Sequence, residues 1–308
     1  MSSMQSSLAH SSLEEEATTM KLNENDPSLQ TESSVTCTYQ AVLEASTRNL
    51  VITWYKVSTS HSLAITIENM YNEDHQTCEI DFHASQFWSR KGLKSLNVDD
   101  DVRVDIYWDF RGAKFCGNPE PCSDYYVAIV CDKQMVLLLG DLKADAFKRT
   151  LSRPTQVCPT LLHKEEILYG KNRFETKVLL GEGPKEHDVT IENRQLKHGE
   201  EELRVSIDGR VVVRVMNLNW MFRGNETVLV NNVPIQIFWD VHDWLFNNNG
   251  SAHGLFIFKP GSLHSLLDED KNSMKEGEGE GEGEDEDDES AVVGGCCHFV
   301  FAVKVDET

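Results

Sequence analysis

Nowhere does the chain gather enough lysine and arginine to neutralise a run of phosphates, which argues against a nucleic-acid binder. Long apolar stretches are missing too: no segment approaches the roughly eighteen residues of a membrane-crossing helix. The opening MSSMQSSLAHSSLEEEATTM has neither a cationic nor an apolar region, so no signal peptide or anchor is expected, and a cytoplasmic or nuclear location is. Catalytic signatures are absent as well. There is no G-x-S-x-G elbow to give His242, Asp240 and Asp243 a nucleophile, no P-loop and no G-x-G-x-x-G. Cys116 and Cys122, in CGNPEPC, have a spacing poor for zinc and no second pair to complete four ligands. VDDDV lacks the spaced ligands of a calcium loop, so it reads as a hairpin turn, and no metal or cofactor is expected.

What is present is a chain of 308 residues, 40% hydrophobic, enough for a sizeable core. Its formal charge of −22 is unevenly spread: residues 264–289 hold thirteen acids against two lysines and residues 1–34 six against one, leaving about −6 for the rest. Residues 1–34 are expected to be a disordered tail. The run KEGEGEGEGEDEDDE cannot bury apolar surface and repels itself, so residues 264–289 are expected to be a disordered acidic loop inserted between two strands. The eight cysteines are expected to be free thiols in a reducing compartment, with Cys37, Cys78, Cys131, Cys296 and Cys297 serving as small hydrophobes in strand-like runs.

Residues 106–109 read IYWD and residues 237–240 read IFWD, and the surrounding stretches match too. WSRKGLKSLNVDDDVRVDIYWDF and WMFRGNETVLVNNVPIQIFWDV share a Trp, a basic residue before Gly, a turn and an aromatic-Trp-Asp ending, with one residue more in the first. CTYQAVLEA, LVITWYK and SLAITIEN face RFETKVLLG, HDVTIEN and ELRVSIDG in the same order. This self-similarity implies an internal duplication. Runs of Val, Ile and aromatics broken by Asp, Asn, Gly and Ser predict an all-β fold: two tandem antiparallel lobes, each a sandwich or a barrel, over 35–141 and 173–263 plus 290–305. Residues 142–172 are expected to link them, with one short helix over 141–150 capped by Asp141.

The alternation of a strand assigns faces. Val102, Val104, Ile106, Trp108 and Phe110 share one face, and Val233, Ile235, Ile237, Trp239 and Val241 the equivalent one, so both tryptophans are expected in the core. Asp109 and Asp240 fall outside, where an aspartate at a strand end accepts turn amides or meets water. They are nonetheless the pair a glycosidase would use, if the lobes brought them together. Tyr107 and Phe238 also face outward, and large aromatics there need a partner. Packing between the lobes is the preferred explanation, and a ligand groove with Arg103 and His242 on its rim is the other.

Together VTCTYQA, LVITWYK, FWSRKGLKSLNVDDDVRVDIYWDFRGAKF, PEPCSDYYVAIVCDKQMVLLLGD, NWMFRGNETVLVNNVPIQIFWDVHDWLF and HGLFIF resemble a plant-specific family, domain of unknown function 868, over about residues 35–305. The resemblance implies a plant source and supplies no activity, cofactor or catalytic residue. The length of the acidic insert and CCHFVF in the last strand depart from the family pattern. Two functions remain in view. One is a non-catalytic β module that binds a protein, lipid or glycan, its acidic loop offering an electrostatic contact to a basic protein partner. The other is a hydrolase of glycans or esters in which Asp109, Asp240 and His242 converge.

Overall fold

The computed structural model describes residues 32–44, 46–69, 75–82, 90–98, 102–181, 185–196, 199–247, 252–261 and 296–305. The expected N-terminal tail, apart from its last residues, and the acidic loop lie outside the described residues.

The first half of the chain is two meanders. Strands β1 (Glu32–Leu43), β2 (Ser46–Val57), β3 (Ser60–Asn69) and β4 (His75–Asp81) pair in sequence order. They are followed by β5 (Lys91–Asn97) and β6 (Arg103–Asp109), a small hairpin of β7 (Lys114–Phe115) and β8 (Pro121–Ser123), then β9 (Tyr126–Cys131) and β10 (Gln134–Gly140). β5, β6, β9 and β10 form the second sheet, edged by β11 (Arg153–Pro154). Helix α1 (Lys143–Thr150) precedes that short strand, and β12 (Thr160–Gly170) follows it.

The second half also begins with a four-stranded meander. β13 (Arg173–Leu179), β14 (Glu186–Gln195), β15 (Glu201–Ile207) and β16 (Arg210–Val215) make one meander. β17 (Arg223–Val230), β18 (Val233–Asp240), β19 (His253–Pro260) and β20 (Cys297–Lys304) make the other, with helix α2 (His242–Phe246) between the middle pair.

Each half buries its own core between its two sheets. Leu50, Ile52, Trp54, Ile65, Ile106 and Ile129 belong to one core, and Ile191, Val205, Ile237, Trp239, Phe256 and Val300 to the other. Two facing sheets around one core make a sandwich, so the choice left open between sandwich and barrel goes to the former.

The halves are nevertheless sewn together. Residues 160–170, expected to be linker, form the eleven-residue strand β12, which pairs antiparallel with β1 and parallel with β20. The result is one nine-stranded sheet, β17-β18-β19-β20-β12-β1-β2-β3-β4, that carries the floor of both cores. β12 lies where one core ends and the next begins, and its inward side chains are charged: Glu166, 5% exposed, holds Lys164 Nζ at 2.7 Å and His298 Nε2 at 3.4 Å and accepts a hydrogen bond from Thr176. Glu120, from the loop between β7 and β8, adds a carboxylate 3.5 Å from the same ammonium. Burial disfavours the charge on Lys164, but Glu166 and Glu120 outweigh it and raise its pKa, while Lys164 and His298 hold Glu166 at about 2 despite its burial.

Turn chemistry explains the length difference between the two halves. Asn231 and Asn232, both at positive φ (51° and 67°), form the two-residue turn between paired Val230 and Val233. In the first half Asn97 pairs with Arg103 and Val98 N–H donates to Val102 O at 2.9 Å, so one residue more separates Val98 from Val102 than separates Val230 from Val233. The extra residue thus falls between the paired strands, which keep their phase on either side of it.

Two expectations need correction. Asp141 does not cap α1: Leu142 stands at the N-cap, and the Asp141 carboxylate instead accepts the backbone N–H groups of Asp124 and Tyr125, both at 3.1 Å. A carboxylate in hydrogen-bonding reach of two orphan loop amides is held there more firmly than by one helix amide. Nor are all cysteines free, because Cys116 and Cys122 are joined in a disulfide that closes the CGNPEPC loop. Their Cα atoms, 6.0 Å apart, are well placed for the bond. Cys37, Cys78 and Cys131 are buried thiols, as expected.

Candidate functional site

The repeated motif is a cross-strand device. Gly92 on β5 pairs with Trp108 on β6, and Gly224 on β17 pairs with Trp239 on β18. In both places the indole lies flat over the glycine. A Cβ on Gly224 would stand 2.9 Å from Cε2 and Cη2 of Trp239, and one on Gly92 2.7 Å from Cη2 of Trp108. The next pair in each ladder is basic against acidic. Lys91 Nζ lies 3.1 Å from Asp109 Oδ2, and Arg223 Nε 2.7 Å from Asp240 Oδ2. Each aspartate also accepts the amide two residues on, from Arg111 N–H at 3.3 Å and His242 N–H at 3.1 Å. The basic-Gly and Trp-Asp halves of the motif are therefore two sides of one contact.

Both tryptophans point toward a core, as the strand phase requires. Trp239 is buried and donates Nε1–H to Met221 O at 3.1 Å, whereas Trp108 is half-buried at the rim of the first core. Asp109 departs from its expected wet position. It is only 8% exposed, because Arg111 closes over it with Nε 2.9 Å from Oδ1 and Nη2 2.8 Å from Oδ2. Burial alone would raise its pKa; the hydrogen bonds from Arg111 and Lys91 outweigh that and hold it at about 2.

Helix α1 covers the outer face of the first half's second sheet. Leu142, Ala146 and Phe147 meet Tyr107, Tyr126, Ala128 and Met135 there, which is why all six residues of β9 are buried and its alternation is lost. Tyr107 is therefore covered within its own half, by α1, and not by packing between the halves; the Arg149 guanidinium sits 5.6 Å from its ring centroid. Arg149 further ties the helix to the motif, donating to Trp108 O at 2.9 Å, Gly92 O at 2.9 Å and Tyr126 Oη at 3.1 Å.

Each copy of the motif borders a cavity. In the first half a cleft of about 790 Å³ opens between α1 and the strand ends, lined by Lys91, Asp109, Arg111, Tyr126, Lys148 and Arg149 among others. In the second, where none of the described residues forms a helix equivalent to α1, a smaller cavity of about 310 Å³ is lined by Arg223, Phe238, Asp240, Leu255 and Ile257. The two share no lining residue, so Asp109 and Asp240 look into different spaces.

The other candidates scatter. Arg103 is exposed and spent on Asp105 (3.0 Å) and Ser95 Oγ (2.9 Å). His242 opens α2, with Nδ1 3.3 Å from Asp243 Oδ1 and its ring against Phe222 and Phe246. Among the described residues no group of three or more His, Cys, Asp and Glu side chains is placed to hold a metal ion, and no helix is long and apolar enough to cross a membrane. Sequence reasoning missed Arg111, Lys148 and Arg149 as cleft residues. The only signal for Lys148 and Arg149 was the basic end of the helix, which reads equally well as a favourable charge on the helix dipole, and Arg111 carried none.

The outer face of the nine-stranded sheet, where the second cavity opens, carries apolar rows. Phe238, Ile257 and Phe299 stand side by side, as do Leu255, Phe301 and Ile167, and all six are partly exposed.

A family model described as a plant protein of unknown function (DUF868) matches residues 30–304, from before the first strand to the end of the last, as the ordered motifs had suggested. Comparison with curated proteins and with solved structures finds no match.

Proposed function

The chain belongs to the plant family of domain of unknown function 868, and from that premise we propose that it is a non-catalytic β module whose ligand is another protein. The observation that carries this reading is the state of the two carboxylates. Each is neutralised by a cross-strand cation, accepts a turn amide and faces a separate cavity. A glycosidase needs two carboxyl groups within about 5–10 Å on either side of one bond, one of them free to hold a proton near neutral pH. An Asp109 pKa of about 2 suits a structural ion pair and not an acid catalyst.

The contact surface is the open face of the nine-stranded sheet around Phe238, Leu255, Ile257, Phe299 and Phe301. Rows of partly exposed aromatic and branched side chains on a rigid sheet suit a protein surface. β19 and β20, which supply four of these residues, are also the strands joined by the acidic segment 264–289. That charge favours a basic partner and speeds its arrival at low salt. The duplication belongs to the same reading, supported by the shared strand order and by the Gly–Trp pair in both halves. A superposition in which the two pairs fail to coincide would remove it.

Affinity capture from plant tissue, compared by mass spectrometry between the intact chain, a 264–289 deletion and an Ile257→Asp/Phe299→Asp variant, tests the proposal. Loss of the same basic protein from both altered baits supports it. Capture unchanged by both overturns it, and hydrolysis of a glycoside or ester that Asp109→Asn abolishes would transfer the case to the enzyme.

A further inference from the structure

The cleft under α1 is a charged site that the sheet-face reading leaves unused. Four cations line it, Lys91, Arg111, Lys148 and Arg149, against three acids, Asp109, Asp124 and Asp145. One acid is already satisfied from outside the cleft, since Lys114 Nζ lies 2.7 Å from Asp124 Oδ2. Four positive groups then face two negative ones. In a chain with a net charge of −22, this is a concentrated local surplus of the opposite sign.

The bonding shows where the surplus lies. Lys91 and Arg111 converge on the single carboxylate of Asp109, so two positive charges share one negative charge. Arg149 spends its hydrogen bonds on neutral oxygens, those of Trp108, Gly92 and Tyr126, and meets no carboxylate among the described residues. A half-buried guanidinium without a counter-ion is costly to hold, and a bound anion would relieve it. Lys148 has no acceptor among the described residues. Tyr126 Oη accepts from Arg149 and so keeps its own proton to donate.

We propose that this cleft binds a phosphate monoester, with Lys91, Arg111, Lys148 and Tyr126 Oη directed at the phosphate oxygens and Arg149 supplying unpaired charge behind them. A phosphate monoester carries close to two negative charges at neutral pH and several acceptor oxygens, which matches both the surplus and the free donors. The cleft's volume suits a small molecule, and Leu142 offers an apolar wall to the ester group. The second half provides an internal control. There Arg223 and Asp240 pair one to one, and His242 replaces Arg111 two residues past the aspartate, so no surplus arises.

Titration calorimetry with inorganic phosphate at low salt tests this on the full chain, in wild type and in Lys148→Glu, Arg111→Gln and Arg223→Gln, each checked for retained fold by circular dichroism. Wild type and Arg223→Gln should bind equally. The other two should lose at least about tenfold in affinity, the scale of one charge-assisted hydrogen bond. A parallel flotation assay with phosphatidylcholine vesicles, with and without phosphatidic acid, separates a lipid headgroup from a soluble ester: binding confined to the acid-bearing vesicles and lost in Lys148→Glu assigns the phosphate to a lipid. No binding of wild type to either probe, binding unaffected by both cleft substitutions, or equal loss in Arg223→Gln overturns the site. Because Lys148→Glu and Arg111→Gln leave the open sheet face unaltered, failure here leaves the protein-capture result standing, and the reverse holds too.

Discussion

Substituting Gly224 by alanine probes the contact on which both halves are built. Away from a crowded surface this change should help, since alanine in an extended strand removes backbone freedom from the unfolded chain and gains about 0.4–1 kcal/mol. At Gly224 the new methyl would stand 2.9 Å from two atoms of the Trp239 indole and nearer still to a third. Carbon atoms prefer about 3.5–4 Å, so the ring must retreat by at least about 0.6 Å. Trp239 is 6% exposed among Ile237, Phe256 and Val300 and has nowhere to go without displacing them. Overpacking of this kind costs about 1–3 kcal/mol, and weakening the Trp239 Nε1–H bond to Met221 O, now 3.1 Å, adds about 1 kcal/mol. The net expectation is a loss of about 2 kcal/mol in urea denaturation at neutral pH. A double-mutant cycle with Trp239→Phe isolates the cause. Phenylalanine withdraws the six-membered ring from the glycine, so the double variant should be more stable than the sum of the two single losses by about 1–2 kcal/mol. Stability unchanged or raised in Gly224→Ala, or strict additivity in the cycle, would refute the reasoning. Gly92→Ala should cost less, although its contact is tighter, because the half-exposed Trp108 can swing toward solvent.

Replacing Lys164 by methionine should cost about 3–5 kcal/mol in the same denaturation experiment, because it strands the 5%-exposed Glu166 beside a second carboxylate, and adding Glu166→Leu should recover part of that loss. Asp109 ties stability to acid: its folded pKa of about 2 lies below the unfolded value near 4, so its contribution is complete above about pH 4 and disappears as pH falls through about 2. Asp109→Asn should therefore remove about 2 kcal/mol from the difference in stability between pH 5 and pH 2 measured for wild type. Alkylation with iodoacetamide at pH 8 should modify the exposed Cys158 first and leave Cys37 untouched in the folded protein, since burial, helped by the charge of Glu120, pushes the Cys37 thiol up to about 12. Rapid modification of Cys37 would mean that the first core opens far more readily than its packing implies.

How far the sequence could be read varies from place to place along the chain. The ribbons around Ile106 and Ile237 were legible because alternation is a local consequence of the pleat, so Val104, Ile106, Ile235 and Ile237 fall in the cores where their phase places them. The tryptophans followed for the same reason. Asp109 followed only in part. Its phase was right, but the Arg111 side chain folds back over it, and the alternation of a strand does not announce a cover supplied from the loop beyond its end. Tyr107 illustrates the same gap: an outward aromatic signals that something must cover it, without saying what.

The sequence by itself determined the all-β character, the faces of the two tryptophan-bearing ribbons and the one-residue difference between them, all of which rest on contacts between neighbours along the chain or across one hairpin. Only the tertiary structure decided that β12 joins the two sandwiches, because a strand with Lys164 and Glu166 on its inner face looks like a solvated linker until His298, Thr176 and Glu120 arrive from elsewhere in the chain to pair with them. The charge surplus of the cleft arose in the same way. It exists only where α1 brings Lys148 and Arg149 against Lys91 and Arg111, residues that their own segments would have left to the solvent.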